Sequence, residues 1–167
     1  MATIRSATFE DSVALASIYN WYIANSTITF EEEPVTAGDM AQRIAVTDNT
    51  RPWFVLETKD RNGATAIVGY AYAARWKDRS AYRFARETSI YLQPDQSGEG
   101  YGRMLYEHLI AALRKTDVHL LIAGIALPNP ASIALHEKLG FEKAGELEEV
   151  GRKFDNYLNV GYWQLLL

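Results

Sequence analysis

Apolar residues recur along the chain in two rhythms, one of about two residues and one of about 3.6, and the switches between them mark its elements. Ala2 to Ala7 alternates weakly and predicts a first strand. Thr8 and Asp11 make a capping-box pair ahead of a helix that carries Val13, Leu15, Ile18, Tyr19 and Tyr22 and ends near Asn25. Residues 26–35 read as a loop at the rim of a site, because Thr36 and Asp39 restart a helix through Met40, Ile44 and Val46. Arg51-Pro52 breaks the chain. Trp53 to Thr58 and Ala66 to Tyr72 then form a strand pair across the turn Asp60-Arg61-Asn62-Gly63.

The second half is punctuated more sharply. A β-rich run, Thr88 to Leu92, is stopped by Pro94, and Gly98, Gly100 and Gly102 lead into Met104, Leu105, Leu109, Ile110 and Leu113 at helical spacing. His119 to Ala126 is a continuous apolar run suited to a strand buried on both faces. Leu127-Pro128-Asn129-Pro130 ends it, Pro130 opens a helix from Ala131 to Leu139, and Gly140 stands where a left-handed cap belongs. Strands at 142–147 and 158–166, across a turn holding Gly151, Lys153 and Asp155, finish the order β-α-α-β-β-β-α-β-α-β-β. This is one α/β (α+β) domain over residues 1–167.

A strand that feeds a helix through a loop almost without side chains lets a ligand approach the main chain, and the helix N-terminus favours phosphate there. Two familiar loops fail on spacing. A dinucleotide fingerprint needs a glycine at Arg103, and a Walker loop needs Gly-Lys before Ser or Thr. Composition narrows the field further. The absence of cysteine excludes disulfides, thiolate metal sites and a cysteine intermediate, and fits a cytoplasmic setting. A net charge of −4 without a basic run argues against nucleic acid. No apolar run approaches the roughly 20 residues of a membrane span. His108, His119 and His136 are too scattered for a metal site, so no metal is expected.

Ser97-Gly98-Glu99-Gly100-Tyr101-Gly102 resembles the acyl-CoA loop of the GNAT N-acetyltransferase superfamily, Gln/Arg-x-x-Gly-x-Gly/Ala. Ser97 departs from it, with Gln96 one residue early. Asn129 to Phe141 is similar to the family's Asn-x-x-Ala/Ser-x-x-Leu/Phe-Tyr/His-x-x-x-Gly-Phe. Asn20, Ser26-Thr27, Ala81-Tyr82-Arg83 through Glu87, Lys153-Phe154 and Val160 to Gln164 resemble the phosphinothricin and methionine sulfoximine N-acetyltransferase branch. The resemblance implies the GNAT fold, with a central mixed, mostly antiparallel sheet flanked by helices. It also implies acetyl-CoA as co-substrate, a small amino-acid-like amine as acceptor and a homodimer.

In such a fold the pantetheine arm lies along Ser89, Ile90, Tyr91 and Leu92, and the diphosphate over Gln96, Ser97, Gly98, Glu99, Gly100, Tyr101, Gly102 and Arg103. Asn129 is expected to meet the pantetheine amides, and Ser132 either caps its helix or reaches the cofactor. Glu87 is the base candidate. Arg86 beside it is expected to depress its pKa, which favours a water relay. His136 stands where many relatives carry a tyrosine that protonates the thiolate, and either does the same or packs under the cofactor. Trp76, Tyr82 and the cations Arg75, Lys77, Arg79 and Arg83, with Arg86 and Phe30, are the acceptor-binding candidates, a composition suited to an amino-acid carboxylate. The rival functions are acetylation of peptide or protein N-termini, and acyl-CoA binding without catalysis.

Overall fold

The two rhythms of the sequence become two layers of helix on a single twisted sheet. The structure is a computed structural model that describes residues 2–59 and 62–167. Its elements are β1 (Thr3–Ser6), α1 (Ser12–Asn25), α2 (Ala37–Ala45), β2 (Trp53–Lys59), β3 (Thr65–Arg75), β4 (Ala85–Leu92), α3 (Tyr101–Leu113), β5 (Leu120–Ala126), α4 (Pro130–Lys138), β6 (Glu142–Lys153) and β7 (Asn156–Leu166). Among the described residues the sheet has seven strands in the order β1-β2-β3-β4-β5-β7-β6. The element order is the one the sequence predicts. Part of the expected β2–β3 turn, Asp60-Arg61, lies outside the described residues.

Strand alternation sorts the core into two. Leu56, Ala71, Leu121 and Ile125 face Leu105, Tyr106, Leu109 and Leu113 of α3. Trp53, Val55 and Tyr70 face Leu15, Ile18 and Tyr19 of α1 and Met40 and Ile44 of α2. The predicted cap of α2 is in place, Asp39 N donating to Thr36 Oγ1 at 3.1 Å, while the Thr8–Asp11 box, with Thr8 N donating to Asp11 Oδ2 at 2.8 Å, opens a 3₁₀ turn, Phe9–Asp11, that leads into α1. Asn20 fastens the segment between these helices, donating to Val35 O at 2.9 Å and accepting from Val35 N at 2.8 Å.

One hairpin is longer than expected. β6 runs to Lys153 and the turn sits at Phe154 and Asp155, whose φ values of 50° and 61° suit a tight hairpin reversal. Gly151 and Lys153, expected in that turn, are strand residues. β6 is an exposed edge strand, so no buried face imposes an alternation on residues 148–152. The register also slips between Leu147 and Gly151, where Glu149 takes φ 50° and its N–H donates to Asn159 Oδ1 at 2.8 Å.

The decisive irregularity lies at the centre. β4 and β5 run parallel, and three pairs join them: Ala85 with Leu120, Arg86 with Leu121, and Glu87 with Ile122. Beyond Glu87 they part, β4 staying on β3 as far as Leu92 and β5 on β7 as far as Ala126. The parting leaves a wedge whose walls are main chain.

Candidate active site

The wedge is lined by Thr88, Ser89, Ile90 and Tyr91 on one side and Ala123 to Ala126 on the other, with Asn129, Ser132 and His136 at its far end and Ile28 over its rim. Strand edges without a ladder partner present N–H and C=O groups to any amide-bearing chain placed between them. Leu92 is not part of this wall. Its side chain packs on the core and its carbonyl accepts from Tyr22 Oη at 2.7 Å.

The end of β4 leads to an anion cradle. Gly98 and Gly100 have φ of 92° and 81°, and a side chain on either would enter open space. The first hydrogen bond of α3 runs from Met104 N to Gly100 O at 3.1 Å, so the N–H groups of Tyr101, Gly102 and Arg103 point out of the helix end. Gly102 has a second duty, for it packs against Leu92 and Leu135. Gln96 is half-buried, Ser97 and Glu99 are exposed, and Arg103 is paired on the helix surface with Glu107 at 2.7 Å. The cradle is thus built of main chain, with Ser97 contributing no bond to it, its Oγ facing Pro94 O at 3.5 Å.

Glu87 closes the narrow end of the wedge. It is half-buried, its Oε1 stands 3.6 Å from where a methyl on Gly124 would lie, and burial raises its pKa above the ordinary 4.5, partly opposed by Lys77. The expectation that Arg86 depresses it is corrected, because neighbours on a strand point to opposite faces. Arg86 is buried on the other side, donating to Thr50 O at 2.7 Å and to Arg83 O and Ala85 O at 2.8 Å. Those bonds also remove it from the acceptor-binding set. Arg75 goes with it, since it is the register partner of Arg86 and shares that face.

Of the other cations, Lys77 is brought to Glu87. Its ammonium lies 5.0 Å above the Trp76 ring, which meets the edge of Tyr162 at 5.6 Å. Tyr162 in turn leans on Gly124, its register partner across β5 and β7. Glu87, Lys77, Trp76 and Tyr162 form one corner. Arg79, Tyr82 and Arg83 lie on the exposed segment beside it, Arg83 donating to Ser80 O at 3.2 Å and covering Phe84. Phe30 is not among the residues lining the wedge; its ring packs on Gly151 of β6, so close that a Cβ there would fall inside it.

His136 is built in rather than presented. Ser132 O can only accept, so Nδ1 at 2.7 Å carries the hydrogen, and Nε2 accepts from Tyr106 Oη at 3.0 Å. Tyr106 Oη lies 2.5 Å from Thr88 Oγ1, so a buried polar chain joins α4, α3 and β4 beneath the wedge. Burial lowers the His136 pKa, leaving a neutral imidazole with both nitrogens engaged near neutral pH. Of its two expected roles, this geometry favours packing. The cap of α4 is Asn129, whose Oδ1 accepts from Ser132 N at 3.1 Å, so Ser132 is the capped residue and its hydroxyl is left at the cleft.

Tyr162, Tyr106 and Ile28 were not singled out from the sequence as site residues. Tyr162 lies in a segment that carries the resemblance, but only its pairing with Gly124 reveals its place. No cluster of potential metal ligands occurs among the described residues.

A split parallel pair ending in a glycine cradle at a helix N-terminus is the geometry of an acyl-CoA site, and the model of the acetyltransferase (GNAT) domain family matches residues 4–160. The chain belongs to the GNAT acetyltransferases. This N-acetyltransferase is similar to a phosphinothricin acetyltransferase from Sinorhizobium meliloti, solved in complex with acetyl-CoA, at 37% identity and a TM-score of 0.91, covering 99% of this chain and 88% of that one. It is 35% identical to the L-methionine sulfoximine/L-methionine sulfone acetyltransferase of Pseudomonas aeruginosa, covering 99% of this chain and 95% of the relative. A ribosomal-protein-alanine N-acetyltransferase from Brucella melitensis is as close, at 36% identity and TM-score 0.91 over 99% of both chains.

Proposed function

We propose that this enzyme uses acetyl-CoA to acetylate the α-amine of a small amino-acid-like compound by direct attack, with phosphinothricin and methionine sulfoximine or sulfone as reference acceptors. The observation that carries the reading is the corner where a half-buried carboxyl of raised pKa, Glu87, meets Lys77, Trp76 and Tyr162. The wedge fits a pantetheine arm between Thr88–Tyr91 and Ala123–Ala126, and the end of α3 fits a diphosphate. When bound, acetyl-CoA supplies the activated acetyl group.

The chain's own residues do the rest. Glu87 takes a proton from an ammonium of pKa about 9 to 10, and a carboxyl of raised pKa is a better acceptor for it than an ordinary one. Lys77 meets the acceptor's carboxylate, which lies within a few ångströms of its nitrogen. Trp76, Tyr162 and Phe30 exclude water from the acceptor's side chain.

The test is kcat/KM for methionine sulfoximine, its methyl ester and an alkylamine of equal length. Loss of a charge-assisted pair is expected to lower the value by roughly 30-fold or more for ester and amine. Equal rates overturn the carboxylate reading. The Brucella relative's name keeps a second reading open, acetylation of peptide N-termini, which a preference for alanyl peptides over free amino acids would establish. The proposal includes a homodimer, and light scattering that finds a particle of 18.8 kDa overturns that part.

A further inference from the structure

Lys153 carries a positive charge that the fold does not neutralise. It is 2% exposed, yet among the described residues its Nζ donates only to Thr29 O, at 2.8 Å. Its other neighbour is the Phe154 ring at 5.1 Å, and Glu32 acts on it only through space, without an ion pair. An ammonium has three N–H donors, and burying one without a counter-ion is unfavourable by several kcal/mol in order of magnitude. Burial accordingly lowers its pKa. Lys153 therefore holds two donors in reserve, with no carboxylate paired to it among the described residues.

That place borders the wedge. Thr29 follows Ile28, which lines the cleft beside Ser89 to Tyr91, and precedes Phe30, whose ring rests on Gly151. Thr29 Oγ1 is 2.7 Å from Tyr19 Oη, and Tyr19 meets the Tyr91 ring edge-on at 5.1 Å. Lys77 stands by Glu87, and Lys153 is fastened to the loop whose Ile28 lines the cleft beside Ser89.

We infer that Lys153 is a specificity-determining residue: its ammonium receives the terminal oxygens of the acceptor's side chain, a phosphinate or a sulfone-type group, while Lys77 receives the α-carboxylate. The inference rests on the amino-acid reading above and deepens it. The loop from Ile28 to Phe30 then gives up part of its hold on Lys153 to the incoming anion, so recognition and loop placement share one ammonium.

Lys153→Gln keeps a donor for Thr29 O and removes the charge. The measurement is kcat and KM for L-phosphinothricin and for L-methionine, which lacks the terminal oxygens, with acetyl-CoA affinity by calorimetry as the check on folding. Expected is a fall of about 10- to 100-fold in kcat/KM for phosphinothricin, carried mainly by KM, with methionine close to wild type and Lys153→Arg restoring much of the loss. Equal losses on both acceptors make Lys153 a strut for the loop and overturn the inference. Undiminished preference for phosphinothricin in the variant overturns it and leaves the amino-acid reading standing. A wild-type enzyme that acetylates neither compound overturns both. If Lys153→Gln does not fold, Lys153→Arg and Lys153→Met provide the same comparison.

Discussion

At the scale of single residues, Glu87 couples activity to stability through its burial. Its pKa in the folded state lies above the ordinary 4.5, so the folded protein binds this proton more tightly than the unfolded chain does. That contribution to stability is present below the unfolded pKa and is lost as pH rises through the folded one. Glu87→Gln is therefore expected to lower kcat by roughly 10²- to 10⁴-fold. The same change should raise the melting temperature at about pH 8 and not at about pH 4. Wild-type turnover across the pH range would remove Glu87 from the chemistry. Tyr106→Phe tests the chain beneath the wedge. Deleting its hydroxyl leaves His136 Nε2 without a donor and Thr88 Oγ1 with only its 3.4 Å bond to Ile122 O, and the expected loss is about 1–3 kcal/mol by denaturant titration. His136→Phe should cost less turnover than Glu87→Gln, since a neutral imidazole with both nitrogens engaged is a poor acid. Glu87 was singled out because it heads a β-rich run at the position where the resembling branch carries a glutamate. The effect assigned to Arg86 was misjudged because adjacency in sequence is opposition on a strand. Lys153 stayed hidden because its partner is a carbonyl 124 residues away.

At the scale of elements, the proposed function draws on the end of α3 for the cofactor and on the β6–β7 hairpin for the acceptor. Gly100 lies at φ 81° with open space before it, so Gly100→Val combines backbone strain of about 1–3 kcal/mol with a side chain in the cradle. Acetyl-CoA affinity should weaken by about tenfold or more in calorimetry, and unchanged affinity would exclude the loop. Gly151→Ala acts on the other substrate. Its methyl displaces the Phe30 ring, so KM for the acceptor should rise several-fold while acetyl-CoA binds as before. The cradle was readable because its glycines, proline and helical spacing are local signals. The reach of β6 was not, since an exposed edge strand needs no apolar alternation and its positive-φ turn uses Phe154 and Asp155 instead of glycine.

At the scale of the whole molecule, the element order could be read because proline or glycine marks six of the ten connections and a change of hydrophobic period marks two of the others. Strand order could not, for nothing local in Glu87 or Ile122 says that their ladder stops there. Yet that stop makes the protein two slabs, β1 to β4 with α1 and α2 on one side, and β5, β7 and β6 on the other, joined at the sheet by three ladder pairs. A cofactor seated in the wedge, as proposed above, would supply the missing rungs and rivet the slabs. At about 100 times Kd it should stabilise the fold by about 2.7 kcal/mol, or roughly 5–10 °C in melting temperature. Hydrogen exchange should locate that gain at the facing amides of Thr88–Tyr91 and Ala123–Ala126. On the proposed function, turnover would then be a cycle of stiffness, in which a seam tightens when acetyl-CoA arrives and slackens when the spent thiol leaves.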